Sequence, residues 1–171
     1  DKKFPSPEPI INKNGNYISD ILGKKAAVVS FLEGLSKKEL NPNNCHEIGV
    51  YAAKLHSITK NLTGKRENKL SINSWRVIYN KVKNDCFKIH PNLINVIEKN
   101  LDEIERNWPK NIPSGIIHAD LFPDNIFFKG EKLSGIIDYY FSCNDFYAFE
   151  IAVCLNALCF EGKNENLSFN V

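Results

Sequence analysis

The stretch that most constrains this chain runs from Gly115 to Asp138. A short apolar approach, Gly115-Ile-Ile-His118, enters a polar loop, Ala119-Asp-Leu-Phe-Pro-Asp-Asn125. Asn125-Ile-Phe-Phe-Lys129, a Gly130-Glu131 turn and Leu133-Ser-Gly-Ile-Ile-Asp138 then read as a β-hairpin. Hairpin strands run antiparallel, so the start of the first lies beside the end of the second. Asn125 and Asp138 are thereby brought together, with Asp120 on the adjoining loop.

Two oxygen-bearing side chains at one spot suit Mg²⁺, a hard ion that takes a few protein oxygens together with substrate phosphates. A carboxylate beside them can accept the proton of an attacking hydroxyl. That layout serves phosphoryl transfer, and His118-x-Asp120-x-x-x-x-Asn125 has the spacing of a kinase catalytic loop. The plainer alternative makes His118, Asp120 and Asn125 turn and capping residues, since Asp and Asn favour loops anyway. The loop, the hairpin behind it and the Asp at its end together favour chemistry.

The rest of the chain supplies the body. Phe4-Pro-Ser-Pro-Glu-Pro9 is not helical, because proline removes donors and restricts its predecessors. Ile10-Ile11 and Tyr17-Ile18 flank an Asn-Gly turn signal and predict a hairpin. Ala26–Leu32 reads as a buried strand leading into a hinge bounded by Gly34. Ile48, Ala52, Leu55 and Ile58 predict a helix capped by Asn43 or Asn44. A second helix is predicted from about Ser74, with Trp75, Ile78 and Val82. A third runs from Pro91 along Leu93, Ile97, Leu101, Ile104 and Trp108 to Pro109. Glu150–Phe160 is apolar on nearly every side and reads as a helix buried in a larger body, and the tail Gly162–Val171 as a fraying end.

Composition excludes several classes. A net charge of +2 with scattered lysines gives no basic field for nucleic acid. The run Ile151–Phe160 is too short to cross a bilayer. Five cysteines without CxxC spacing read as reduced thiols of a cytoplasmic protein. The chain contains no methionine, which reads as processing, trimming or a piece of a longer product.

Ile117-His-Ala-Asp-Leu-Phe-Pro-Asp-Asn-Ile126 resembles the loop of the aminoglycoside phosphotransferase and choline kinase superfamily. Gly115–Phe128, Leu133–Asp145, Ala152–Ala157 and Cys159-Phe-Glu161 more narrowly resemble its homoserine kinase branch. Ala26–Gly34 is similar to the hinge of that family, and Leu55-His56 to its Leu-His helix motif. The resemblance implies an α+β, protein kinase-like fold of the aminoglycoside phosphotransferase type. Residues 1–34 would be the end of the small lobe and the hinge, and residues 35–171 a shortened, mostly helical C-terminal catalytic lobe with its catalytic β-hairpin. It implies ATP and Mg²⁺ as cofactors and phosphorylation of L-homoserine, a step toward threonine. Asp120 would be the base, and His118 would brace the loop. Asn125 and Asp138 would hold the metal, and hinge backbone at Ser30, Phe31 and Leu32 the adenine. Glu150 stands where the family carries an acidic residue that supports the loop. Nothing ahead of Pro5 resembles the phosphate-covering loop and strand lysine, so weak activity is expected of these residues alone.

Other positions divide between two readings. Asn144 and Asp145 either face an amino-acid substrate or form a loop that caps the helix of Glu150. His56, Trp75 and Trp108 read as packing residues, and Cys143 as an ordinary thiol. Alternative functions are a kinase of the same superfamily for an aminoglycoside, choline or another alcohol, a metal-dependent phosphohydrolase, or a non-catalytic kinase-like binding module. The sequence sets no oligomeric state.

Overall fold

The computed structural model describes residues 4–161 and 168–169. Element order is β1 (Pro9–Ile10), β2 (Ser19–Ile21), β3 (Lys24–Ala26), β4 (Val28–Val29), β5 (Leu35–Ser36), α1 (Pro42–Thr59), α2 (Ile72–Val82), α3 (Leu93–Asn107), β6 (Ser114–Ile117), β7 (Ile126–Lys129), β8 (Lys132–Ile136), β9 (Cys143–Phe146), α4 (Tyr147–Leu158), β10 (Phe160–Glu161) and β11 (Ser168–Phe169). The mixture is α+β, as expected. Most of the tail expected to fray, residues 162–167 and 170–171, lies outside the described residues. No described helix is long and apolar enough to cross a membrane.

Two small sheets meet on α1. One has the order β5-β7-β8, and the other pairs β6 with β9. Ile48 and Ala52 of α1 pack against Leu121, Ile126, Phe128, Leu133 and Ile136 to form the main core. Each such buried aliphatic side chain contributes about 1.5–3 kcal/mol by leaving water. Tyr79, Cys86 and Leu101 form a second cluster under Trp75, Leu93 and Ile97.

Asn41, not Asn43 or Asn44, caps α1. Its side chain accepts from the Asn44 N–H at 2.9 Å, and the Asn44 side chain accepts from the Asn41 N–H at 3.2 Å. Pro42 at the first helical position is the signal that marks this earlier start. The second and third helices begin at Ile72 and Leu93, within two residues of expectation.

The N-terminal region departs from expectation in its pairing. The Asn-Gly turn forms, with the Asn12 N–H donating to the Asn16 carbonyl at 2.8 Å, yet no strands pair across it. β1 pairs with β4 instead, while β2 and β3 form the hairpin, turning through Leu22 and Gly23 at φ 51° and 77°. Val28, Val29 and Phe31 are exposed rather than buried. The apolar run predicted as a buried strand has no sheet laid over it among the described residues. In α4 likewise only Glu150 is fully buried, and Ile151 and Leu155 face outward. An apolar helix predicts burial, but it cannot say which atoms will cover it.

A strap, Leu32–Ser36, fastens the N-terminal segment to the β7–β8 hairpin. Leu32 lies over Gly135, where a Cβ would meet Leu32 Cδ1 at 2.8 Å. Ser134 Oγ donates to the Glu33 carbonyl at 2.8 Å, Glu33 pairs with Lys129, and Leu35 stands opposite Phe128. Gly34 makes the crossing at φ 133°, where a Cβ would strike Ser134 Oγ and lie 3.0 Å from the Phe128 carbonyl. Gly34→Ala therefore combines a forbidden φ with a backbone clash, and we expect a loss of about 2 kcal/mol in chemical denaturation.

Candidate active site

The loop is held from behind by a buried carboxylate. β6 delivers His118 fully buried, and Ala119 turns the chain in the left-handed region at φ 66°. This turn points the N–H groups of His118 and Ala119 away from any strand partner. Glu150, in the first turn of α4 and fully buried, accepts both, at 2.5 and 3.1 Å. Hydrogen bonds to an ionised acceptor are the strong kind, and two of them fix the entry to the loop. His56 of α1 stacks on Tyr147 at 4.2 Å and places Nε2 3.5 Å from Glu150, which makes it a packing and supporting residue.

His118 braces the loop to the hairpin. Its Nε2 lies 2.9 Å from the Ile137 carbonyl and donates to it, and its ring tilts against Tyr139 at 4.7 Å. Nδ1 is buried without a partner, which suits the neutral tautomer. Burial pulls its pKa below the usual histidine value, while the Ile137 carbonyl and nearby carboxylates oppose this more weakly.

The hairpin brings the three oxygen-bearing residues into one constellation. The Ile137 N–H donates to the Asn125 carbonyl at 3.0 Å, so Asn125 stands opposite the residue that precedes Asp138. Asn125 Nδ2 donates to the Asp120 carbonyl at 2.9 Å and to Asp120 Oδ2 at 3.0 Å. Asp138 is also left-handed, at φ 62°, and accepts from the Tyr140 N–H at 3.3 Å.

The two carboxylates face different spaces. Asp138 lines a cleft of about 520 Å³ together with Pro7, Ser30, Phe31, Leu32 and Tyr139. Asp120 lines a cavity of about 610 Å³ whose walls include Trp75, Trp108, Phe122, Phe146 and Phe149. Residues of the hairpin and its end line the first, and residues of the loop line the second. Trp75 and Trp108, read from the sequence as core, are cavity walls that meet edge to face at 5.3 Å.

Asn144 and Asp145 lie in a strand, β9, rather than in a capping loop. The Asn144 side chain accepts from the Arg66 N–H at 2.8 Å, and its own N–H donates to the Arg66 carbonyl at 2.7 Å. Asp145 accepts from Asn68 Nδ2 and from the Phe146 N–H, each at 2.7 Å. Asn68 itself lines the cavity of Asp120. No spacing marks Arg66 or Asn68 in the sequence, because the polar stretch after α1 reads as a linker. Cys143 is buried, and its thiol is pushed up to about 11 by burial, which makes it unreactive at neutral pH.

Two outcomes follow. Glu150→Gln replaces a charged acceptor that serves two amides, and should cost about 2–3 kcal/mol in chemical denaturation. A depressed histidine pKa means that the folded state favours neutral His118. Its stabilising contribution is thus fully present above the ordinary value of 6.5 and is lost as pH falls below it toward the folded pKa. Denaturation at pH about 7.5 and about 5.5 should show this acid loss, and His118→Gln should flatten it.

Residues 1–166 match the phosphotransferase enzyme family model. The homoserine kinase of Nitrobacter hamburgensis is 42% identical over 165 residues, covering 96% of this chain and 50% of that protein. That of Mesorhizobium japonicum is 42% identical over 170 residues, covering 99% and 52%. The chain thus spans about half the length of the curated relatives it matches. An aminoglycoside-3'-phosphotransferase of type VIII shares the fold at TM-score 0.65 and 17% identity, over 93% of this chain and 60% of that one. The amicoumacin kinase hAmiN, solved with AMP-PNP, Ca²⁺ and Ami, does so at 0.63 and 14%, over 90% and 48%. By sequence across almost its whole length, and by a fold shared with solved members, the chain belongs to the phosphotransferase enzyme family.

Proposed function

We propose that this chain carries the catalytic part of an ATP-dependent homoserine kinase, which converts L-homoserine to O-phospho-L-homoserine in a cytoplasmic setting. The carrying observation is the loop and hairpin themselves: Asn125 fixes the carboxylate of Asp120, its carbonyl holds the residue before Asp138, and each carboxylate borders a cavity. In-line transfer needs a base beside the acceptor hydroxyl and a metal ligand beside the phosphates, set close together. Residues 1–34 serve as the end of the small lobe and the hinge, and residues 35–171 as the catalytic lobe.

The cleft beside Asp138 takes the nucleotide. Among the described residues the N–H groups of Phe31 and Leu32 have no backbone partner, whereas the Ser30 N–H donates to Glu8. Open backbone donors on a cleft wall suit the edge of an adenine ring. The donor set also fits Mg²⁺. Asn125 turns its amide nitrogen to Asp120 and keeps its oxygen for other use, and Asp138 accepts one long backbone bond. Asn125 and Asp138 would hold the ion, which supplies positive charge against the phosphates when bound.

Asp120 acts as the base. Asn125 Nδ2 fixes its carboxylate, and the carboxylate faces the second cavity, where the acceptor hydroxyl lies. Asp120 takes the hydroxyl proton as the acceptor oxygen bonds to the terminal phosphorus. The bond from that phosphorus to the bridging oxygen breaks, and ADP departs with the electron pair. His118 holds the loop and exchanges no proton. The cavity walls are mostly aromatic and apolar. That supports a small amino acid over an aminoglycoside, whose several ammonium groups need acidic walls.

Asp120→Asn in the full-length protein should lower kcat by about 10³-fold or more while nucleotide binding by calorimetry stays near wild type. Asp138→Asn should instead weaken Mg²⁺-dependent nucleotide binding itself. Wild-type turnover in Asp120→Asn would remove the assignment of the base.

A further inference from the structure

The cavity of Asp120 is walled by aromatic and aliphatic side chains, and apart from its indoles the polar side chains lining it are Asp120, Asn68 and Asn156. Asn156 is exposed and donates to the Ala152 carbonyl of its own helix at 3.0 Å. Asn68 is half-buried and is pinned at both ends of its amide. Its Nδ2 donates to Asp145 Oδ2 at 2.7 Å, and its Oδ1 accepts from the Leu70 N–H at 2.9 Å. A flipped amide would set oxygen against a carboxylate and nitrogen against an N–H, so the orientation is fixed. The Leu70 carbonyl in turn accepts from Nε1 of Trp75 at 2.7 Å. Asn68, Leu70 and Trp75 thus form one hydrogen-bonded wall of that cavity.

A side-chain amide has two N–H donors and an oxygen with two lone pairs, so one of each is left on Asn68. The carboxylate of Asp145 polarises the amide through its bound N–H and makes Oδ1 the stronger acceptor. The other lining groups agree in sign. Asp120 brings a carboxylate, the rings of Trp75, Trp108, Phe146 and Phe149 attract cations, and no lining residue is a cation itself. We infer that Asn68 Oδ1 accepts from the ammonium of the acceptor, and that Asp145 is the positioning residue behind it. This rests on the proposed kinase reading and names the group in that cavity that reads the amino acid. The acceptor hydroxyl must reach Asp120, which lines the same cavity, so one small molecule meets both residues.

The test is steady-state kinetics of the full-length protein as wild type, Asn68→Ala and Asp145→Asn, with L-homoserine as acceptor. Two truncated molecules serve as competing ligands: 3-aminopropan-1-ol, which is homoserine without its carboxylate, and 4-hydroxybutanoate, which is homoserine without its ammonium. Asn68→Ala should raise the KM for homoserine about 20-fold and weaken 3-aminopropan-1-ol by a similar factor. The inhibition constant of 4-hydroxybutanoate and the KM for ATP should stay within about twofold. Asp145→Asn removes the charge and one of the two oxygens that serve Asn68 and the Phe146 N–H. It should raise the homoserine KM about fivefold, again without moving 4-hydroxybutanoate. An unchanged homoserine KM in Asn68→Ala overturns the inference. So does an equal loss for 4-hydroxybutanoate, which would mean a contact to the carboxylate or a general disturbance of the cavity. An unaffected 3-aminopropan-1-ol overturns it as well. If wild type fails to phosphorylate homoserine at all, the underlying reading falls with it. If wild type succeeds and Asn68→Ala matches it, only the role of Asn68 falls.

Discussion

The buried carboxylate of Glu150 is the contact on which the site depends. A loop that leaves a strand must find partners for its amide hydrogens, and a buried N–H without one costs about 1–3 kcal/mol. Glu150 meets this need twice, at His118 and Ala119. It comes from α4, a helix more than thirty residues further along the chain, so the loop is tied to the body and not merely to its own neighbours. Asp120 follows directly on these two residues. Its direction is therefore a consequence of where α4 sits.

The β7–β8 hairpin links that loop to the strap Leu32–Ser36. One end positions Asn125 beside Asp120 and sets Ile137 to receive His118. Ser134 and Gly135 of β8 receive Glu33 and Leu32. The same few residues thus register the cleft of Asp138 against the cavity of Asp120. At the hairpin turn, Glu131 accepts from Lys37, Asn41 and Asn44, which hold its carboxyl down at about 2. That contact joins the turn to the start of α1, although it is largely exposed and adds little to stability.

The hairpin, the loop and the long helices were legible because each follows from local rules: a turn signal, a 3.6-residue stripe, a proline at a helix start. Pairing between distant segments was less so. Cys143-Asn-Asp-Phe146 has two residues that strands disfavour, and it became β9 because β6 lay beside it and Asn144 captured the Arg66 backbone. The Asn-Gly turn at 12–16 formed, yet strand partners were decided elsewhere, by β4 for β1 and by a Leu22-Gly23 turn for β2. In the site, Asp120, Asn125 and Asp138 stood out because a motif spaces them. Asn68, which lines the cavity of Asp120, did not, since its place is created by a sheet edge about 75 residues away in sequence. Trp75 packs on the second core cluster as its stripe predicts, and what the stripe could not show is that the same ring, with Trp108, also walls a cavity.

Both left-handed residues at the site are ones for which that conformation is uncomfortable. Ala119 and Asp138 lie at φ 66° and 62°, and each such position costs of order 1 kcal/mol for a residue with a side chain. They persist because the surroundings determine them more than once. Ala119 is held by Glu150 in front and by the pairing of β6 with β9 behind. Asp138 follows a residue whose N–H is bound by Asn125 and whose carbonyl is bound by His118. The strain therefore sits on either side of the constellation, and the bonds that sustain it are the ones that hold Asp120, Asn125 and Asp138 in place before any substrate arrives. Such prior placement is what electrostatic and proximity catalysis require, because the reorganisation is completed on folding instead of during the reaction.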